Sequence, residues 1–404
     1  MHMTKPNIQI DCLIFGGGVA GLFTLNKCTE LGYQALLLES NSLGYGQTID
    51  SQGIIHGGIK YEITHGGHES AVAIREMPML WRRALAGESS LNLSDVQLRA
   101  DNCYIWKTKS LTSRLGFLGA KMALRVKPVV LDNEERPEWL RNNGITAARL
   151  AEQVIEPRSL LEVLSKKLED KLLLTTQGGV EVSRSDEQWK ISLLNPQTGE
   201  PLNIIANDIV LTAGTGNKTL RSQFGLTSKA TQSRPLHMVL VRGDLPTING
   251  HCIDGAKTRV TITTTSDYAG RKVWQVGGQL AEDGVQMEPA QLILHASKEL
   301  LSTLPSIDLS QAEFLTYRST RAEQFEKGKR PHDVSIISEN RVHTCFPTKL
   351  AFAPRLAEAI TSKLPSPSAQ SATQVSDFSW PKPMVALPKW ETDSIWETPE
   401  VFCT

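Results

Sequence analysis

The chain has 404 residues, enough for the cores of two or three domains. Its 43 basic and 43 acidic residues cancel, which removes the electrostatic case for a nucleic-acid protein or a polybasic membrane binder. No apolar run reaches the roughly 18 residues of a membrane span, and six scattered cysteines show no CxxC spacing.

The start, MHMTKPNIQIDC, lacks a secretory apolar stretch. A soluble, reduced, cytoplasmic protein without disulfides or a zinc site is expected, with Cys12 and Cys28 buried as thiols. Residues 10–39 then read IDCLIFGGGVAGLFTLNKCTELGYQALLLE. An apolar strand runs into a GxGxxG turn at Gly16, Gly18 and Gly21, with Val19 and Ala20 opening a helix. A second strand follows, closed by Glu39. That strand–turn–helix–strand unit predicts dinucleotide binding: glycines for the tight turn, the close phosphate approach and helix packing, and helix-start amides for the pyrophosphate. Glu39 stands near the ~20-residue spacing of a ribose-binding acid, and its charge disfavours a 2′-phosphate and hence NADP.

Beyond a polar stretch, 40–48, comes SQGIIHGGIKY at 51–61. Helical spacing covers 69–87, whereas 88–150 shows no assignable pattern. A helix is predicted from Glu156 with Pro157 in its first turn. Short strands are predicted at 172–176, 180–182 and 189–194, and a buried strand at 209–212 enters a Gly-rich turn. Residues 234–278 read as antiparallel strands. A helix (289–304), a strand (313–317), further strand (334–350) and a helix (352–364) follow. From Pro365 the chain is Pro/Ser-rich, and Trp380, Trp390 and Trp396 read as anchors of a tail docked on the body. The expected organisation is α/β: a discontinuous Rossmann-like domain (1–60, 150–225, 330–364), an inserted antiparallel-sheet substrate or cap domain (61–149, 226–329) and a C-terminal tail (365–404).

With SQGIIHGGIKY, EPRSLL (156–161), IVLTAGTGN (209–217), RPLHMVLVRG (234–243), TYRSTR (316–321) and PTKLAFAPRLAEAI (347–360) in view, the chain resembles the FAD-dependent oxidoreductases of the D-amino-acid oxidase superfamily. Within them it is most similar to glycerol-3-phosphate dehydrogenase and 2-hydroxyacid-oxidising flavoproteins. The resemblance covers nearly all of 8–364 and implies FAD. Its adenosine would lie near Glu39, within a cradle of Gly16, Gly18, Val19, Ala20, Gly21, Ser40 and Thr48. Backbone around Val180 and at Ala213 and Gly214 would contribute, while Ser51, Gln52, Gly53 and His56 would line the ribityl chain and ring. Thr348, Lys349 and Leu350 would meet the pyrimidine side at a helix start, whose dipole favours an anionic reduced flavin.

Alcohol oxidation by a flavin needs a hydride acceptor, a base and a clamp for the anionic end of the substrate. By resemblance Arg321 is the clamp, the rival being a surface arginine bridged to Glu323. Arg330 and Lys349 match the family's second arginine and its lysine, and Lys60 and Tyr61 match an Arg-Tyr pair. Lysine at 60 loses the guanidinium fork, which weakens the case for phosphate. His237 is the candidate base on its pKa range, with a packed structural histidine equally open. His56 reads as cofactor-lining, and a covalent flavin tether is conceivable but not required. His65 and His68 read as a solvated Gly-rich loop rather than a metal site, and His251 and His343 as structural. Ala322 stands where the family often has proline.

The expected function is an FAD-dependent oxidoreductase removing hydride from the CH–OH carbon of a small anionic substrate, a polyol phosphate or 2-hydroxy acid. Its electron acceptor (oxygen, quinone or protein) is left open. Two alternatives remain: amine or amino-acid oxidation on the same scaffold, and a non-catalytic electron-transfer subunit. A plain NAD dehydrogenase is disfavoured, because it has no use for the HGG segment or the 347–350 turn.

Overall fold

The computed structural model describes residues 7–58, 74–108, 129–141, 146–185, 187–254, 257–327, 331–368, 379–392 and 395–399. Lys60, Tyr61, His65, His68 and Arg330 lie outside the described residues. The chain divides into two compact units, each assembled from separate stretches.

The first unit comprises Met1–Ile49, Arg158–Arg234 and Arg321–Ala386. Its sheet runs in the order Ser335–Glu339, Val342–Phe346, Pro201–Leu211, Asn7–Phe15, Ala35–Glu39, Leu172–Leu174. Every neighbouring pair is parallel except the outer hairpin of Ser335–Glu339 with Val342–Phe346. An antiparallel meander, Val180–Ser185 and Gln188–Leu194, joins Pro201–Leu211. Cys12 to Phe15 and Ala35 to Leu38 are buried on both faces, as an unbroken apolar run in a covered parallel sheet requires. Helix Val19–Glu30 lies against helix Ala353–Thr361. Leu13, Phe15, Leu36, Ile209 and Leu211 form the middle of the core, each contributing ~1.5–3 kcal/mol if fully buried.

The second unit comprises Asp50–Pro157, Pro235–Thr320 and Leu387–Thr404. Its sheet order is Glu313–Gln324, Thr231–Gly243, Lys272–Gly277, Lys257–Ser266, Gly250–Asp254, Cys103–Lys107, Thr146–Leu150, Val129–Val130. Pairing is antiparallel from Thr231–Gly243 to Gly250–Asp254, parallel from there to Cys103–Lys107, and antiparallel again to the end. Helix Pro289–Thr303, opened by a Glu288/Gln291 capping box, supplies Leu292, Ala296 and Leu300 to a core shared with Trp106 and Trp274. Both indoles donate to backbone carbonyls, Trp106 to Thr303 (3.1 Å) and Trp274 to Pro246 (2.8 Å), as buried tryptophans need.

Three sequence expectations change. Residues 50–58 and 150–157 lie with the antiparallel unit, because Ile55 and Ile155 form backbone hydrogen bonds to Gln153 and Gly53 across the two segments. Residues 226–234 and 321–327 lie with the first unit. The tail is no separate body. Trp380 donates to the Leu174 carbonyl (2.7 Å) in the first unit, while Trp390, 6% exposed, packs with Leu236, Met238 and Tyr317 in the second. There the Arg99 guanidinium stands 5.5 Å from the Trp390 ring centre and Arg242 4.0 Å from that of Trp396. The stretch 88–150 was unreadable because its strands are two to five residues long, below the length at which period-2 alternation shows.

Replacing a buried indole by methyl costs ~3–5 kcal/mol. Trp390→Ala is therefore expected to lower unfolding free energy by ~3 kcal/mol in a urea titration; an unchanged midpoint would mean that the tail contributes nothing to this core.

Candidate functional site

Four turns of the first unit follow the carboxyl ends of parallel strands: at Gly16 after Asn7–Phe15, Ser40 after Ala35–Glu39, Ala213 after Pro201–Leu211, and Pro347-Thr348 after Val342–Phe346. In open α/β sheets that is where ligands bind. Gly16 has φ +102°, and an added Cβ would lie 2.5 Å from the Cα of Ala213. No other residue fits there.

Glu39 closes the turn. Its Oε2 accepts the Gly17 amide at 2.6 Å, and Oε1 accepts the amides of Ser40 and Asn41, both at 2.8 Å. Burial leaves the carboxyl pKa raised, and those three amides offset only part of the rise. Thr48 Oγ1 accepts the Val19 amide at 3.1 Å, so Thr48 is tied to the helix start. Helix Val19–Glu30 has no acid in its first turn and no side-chain cap on Gly18, which leaves its positive end suited to an anion. Thr212 Oγ1 donates toward the carbonyls of Phe15 (2.9 Å) and Gly16 (3.0 Å), locking two of the turns together. Asn217 Oδ1 accepts the Ala213 amide at 2.8 Å, and Val180 sits half-buried in the meander.

Thr348 is 6% exposed with φ +60°, and its buried hydroxyl has no hydrogen-bond partner in the protein. A buried hydroxyl without a partner costs free energy that a bound polar group would recover. That orphan, with the Gly16 turn and a helix start free of acidic residues, fits a bound dinucleotide. Lys349, 7% exposed, places its Nζ 4.9 Å from the Phe352 ring centre, and Leu350 opens the turn into helix Ala353–Thr361. Arg321 is half-buried on strand Glu313–Gln324. The rival reading of Arg321 as the bridge to Glu323 meets a different partner: Arg234 donates to Glu323 through Nε (2.8 Å) and Nη2 (2.9 Å). Ala322 is buried, its amide bonded to Gln47 Oε1 at 3.0 Å.

In the second unit, residues 50–58 are stitched to the sheet. Gln52 Nε2 donates to the carbonyls of Thr261 (2.9 Å) and Gln275 (2.7 Å). Gly53, at φ +70°, faces the Ile155 carbonyl so closely that any Cβ would collide with it. Ser51 is half-buried, and its Oγ has no protein partner. His56 stands beside Glu152, Nδ1 3.5 Å from Oε2, with 17% of its side chain exposed. Glu152 is 2% exposed, accepts the Gly57 amide through Oε1 at 2.6 Å, and turns Oε2 also toward His251 Nε2 at 3.9 Å. The two imidazoles overcome burial and hold the Glu152 carboxyl far below the ordinary carboxylate range. Among the described residues, these three form the group of His, Cys, Asp and Glu donors close enough to share a cation, all within 4.8 Å.

His237 is 1% exposed, its Nδ1 3.1 Å from the Gly284 carbonyl, and burial lowers its pKa. Of the two readings the sequence leaves open for it, these surroundings suit the packed histidine. His343, on the second strand of the first unit's sheet, bonds to Asp208 (3.1 Å) and Ser338 (2.9 Å). Sequence reading missed Glu152 altogether and set His251 aside as structural. Neither carries a local signal, since the cluster draws on positions about a hundred residues apart.

Cradle and sheet together define an α/β dinucleotide-binding protein with an associated antiparallel sheet. The chain belongs to the FAD dependent oxidoreductase family (DAO), whose model matches residues 11–348. It is 37% identical over 391 residues to a probable FAD-dependent oxidoreductase of Pseudomonas aeruginosa, covering 95% of this chain and 98% of that protein. The crystal structure of the Pseudomonas aeruginosa FAD dependent oxidoreductase superposes with TM-score 0.79 at 33% identity, over 96% of this chain and 99% of that one. Glycine oxidase from Geobacillus kaustophilus (TM-score 0.63, 14% identity, 93% and 99% covered) shares the fold. So does FAD-bound L-alpha-glycerophosphate oxidase from Mycoplasma pneumoniae (0.63, 17%, 94% and 99%). This chain is accordingly an FAD-dependent oxidoreductase. Among the described residues, no helix is long and apolar enough to cross a membrane.

Removing a charged hydrogen-bonding group costs ~1.5–3 kcal/mol, so Glu39→Ala is expected to raise the Kd of the apoprotein for FAD about 10- to 100-fold with unchanged far-ultraviolet dichroism. An unaltered Kd would remove Glu39 from the cradle.

Proposed function

We propose that the enzyme oxidises a CH–OH carbon of a small anionic substrate, and that His56, held by Glu152, takes the hydroxyl proton. FAD, when bound, supplies the two-electron hydride acceptor. The chain's own residues handle the proton and the substrate's charge.

An alcohol hydroxyl holds its proton tightly at neutral pH, so hydride can leave its carbon only as a base removes that proton. A neutral amine carries a lone pair already and needs no such base. The base is therefore the feature that separates the two donor classes. The observation that carries the reading is the buried carboxylate of Glu152 beside the partly exposed imidazole of His56. A carboxylate at Nδ1 favours the tautomer with a proton on that nitrogen, leaving Nε2 to accept one, and it stabilises the imidazolium that results. Gly57, donating to the other carboxylate oxygen, keeps Glu152 from rotating away.

Arg321 remains the proposed anion clamp, on the strength of TYRSTR and of a guanidinium's fit to carboxylate or phosphate. Lys349 is the proposed contact on the flavin's pyrimidine side, a cation at a helix start next to the orphan hydroxyl of Thr348.

Anaerobic mixing of the holoenzyme with 2-hydroxy acids, polyol phosphates and amino acids tests the donor class. Flavin absorbance is expected to bleach with a hydroxy compound, and His56→Asn to slow that bleaching ~10²–10⁴-fold while leaving dithionite reduction unchanged. Bleaching by amino acids alone, or a His56→Asn rate equal to wild type, would overturn the reading.

A further inference from the structure

We infer that His251 is a positioning residue for this base, so that His56, Glu152 and His251 form a relay in which two imidazoles share one carboxylate, His56 alone taking up the mobile proton while His251 stays a neutral donor. The inference rests on the reading of His56 as base, and extends it to a side chain that is 0% exposed and faces Glu152.

The argument begins with charge. A carboxylate at 2% exposure keeps its charge only if donors surround it. Oε1 has the Gly57 amide at 2.6 Å. Oε2 faces His56 Nδ1 at 3.5 Å and His251 Nε2 at 3.9 Å. Both separations exceed a tight hydrogen bond, as expected when one oxygen is shared between two rings and belongs wholly to neither. The groups acting on this carboxylate are the two imidazoles. Cys252, next along the strand, is kept neutral by burial, which pushes its thiol up to about 12. On the outer side of the segment, Asp101 is engaged by Gln153 Nε2 (3.2 Å) and, through its backbone carbonyl, by Arg82 Nη2 (2.9 Å).

Tautomer chemistry fixes what His251 does. Its Nδ1 lies 2.9 Å from Thr261 Oγ1, its direct cross-strand partner in the sheet. With the Thr261 hydroxyl donating to Nδ1, the ring proton sits on Nε2 and points at the carboxylate. The opposite tautomer would turn a bare lone pair on that negative oxygen. His251 thus acts as a neutral N–H donor. The two rings stack with centres 5.6 Å apart and planes 28° from parallel, so two imidazoliums at once would repel strongly. When His56 Nε2 takes the substrate's hydroxyl proton, its Nδ1 proton stays toward Oε2 and His251 stays neutral. Glu152 is then less basic than a carboxylate bonded to His56 alone, and His56 can release its proton after turnover.

Removing the His251 N–H returns the full pull of the carboxylate to His56. In holoenzyme labelled with [13C-ε1]-histidine, the His56 resonance (assigned by its loss in His56→Asn) is expected to titrate about one pH unit higher in His251→Phe than in wild type. His251→Gln, which keeps an N–H near the Nε2 position, is expected to restore most of the wild-type value. Thr261→Val, which frees the tautomer without emptying the core, should give a smaller upward shift. Identical His56 titrations in wild type, His251→Phe and Thr261→Val would overturn the relay. So would a His56 signal that titrates only after chelator treatment, which would assign the cluster to a bound divalent ion. Because this readout needs no substrate, it can fail while the His56→Asn kinetics still support the base, and the reverse.

Discussion

A negative charge held inside the protein is the constraint on which the second unit's chemistry depends. Glu152 is buried, and a carboxylate in that position must be surrounded by donors or take up a proton. The chain meets the requirement with one backbone amide and two imidazoles, brought in from residues 56–57 and from strand Gly250–Asp254. The same contacts that make the charge tolerable tie the HGG segment to the sheet. One oxygen pair makes all three contacts: Oε1 anchors the backbone at Gly57, and Oε2 faces His56 and His251.

The first unit solves a different problem, close approach. Its four turns converge because parallel strands end on one edge of the sheet, and the Gly16 position brings the first and third of them almost into van der Waals overlap. Thr212 bonds across that junction, and Glu39 gathers three amides of the neighbouring turns. These bonds fix the turns to one another, and rigid turns reduce the ordering cost of binding. The Thr348 hydroxyl, buried in the fourth of these turns, has no partner in the protein.

How much of this could be read beforehand depended on sequence distance. Gly16 to Glu39 is a local unit whose glycines, helix period and closing acid lie within one short stretch, so the strand–turn–helix–strand unit and the cofactor were legible. The antiparallel strands of 234–278 were legible from alternation. The tail's tryptophans announced docking, yet nothing local could reveal that Trp380 and Trp390 join different cores. The relay was illegible for the same reason. Strand pairing sets His251 opposite Thr261, and a backbone ladder sets His56 beside Glu152; neither pairing leaves a mark on residue spacing. For His237 the two open readings could not be weighed from the strand alone, since the contact of its ring with the turn at Gly284 is made across 47 residues.

The account stands most directly on the ionisation state of Glu152. Infrared difference spectroscopy of the holoenzyme at neutral pH, wild type against Glu152→Gln, reads that state without a substrate. Loss of carboxylate stretching bands in the variant is the predicted result. Loss of a protonated-carboxyl carbonyl band instead would show a neutral acid at the centre of the cluster, and His56 would have no charge to make it a base.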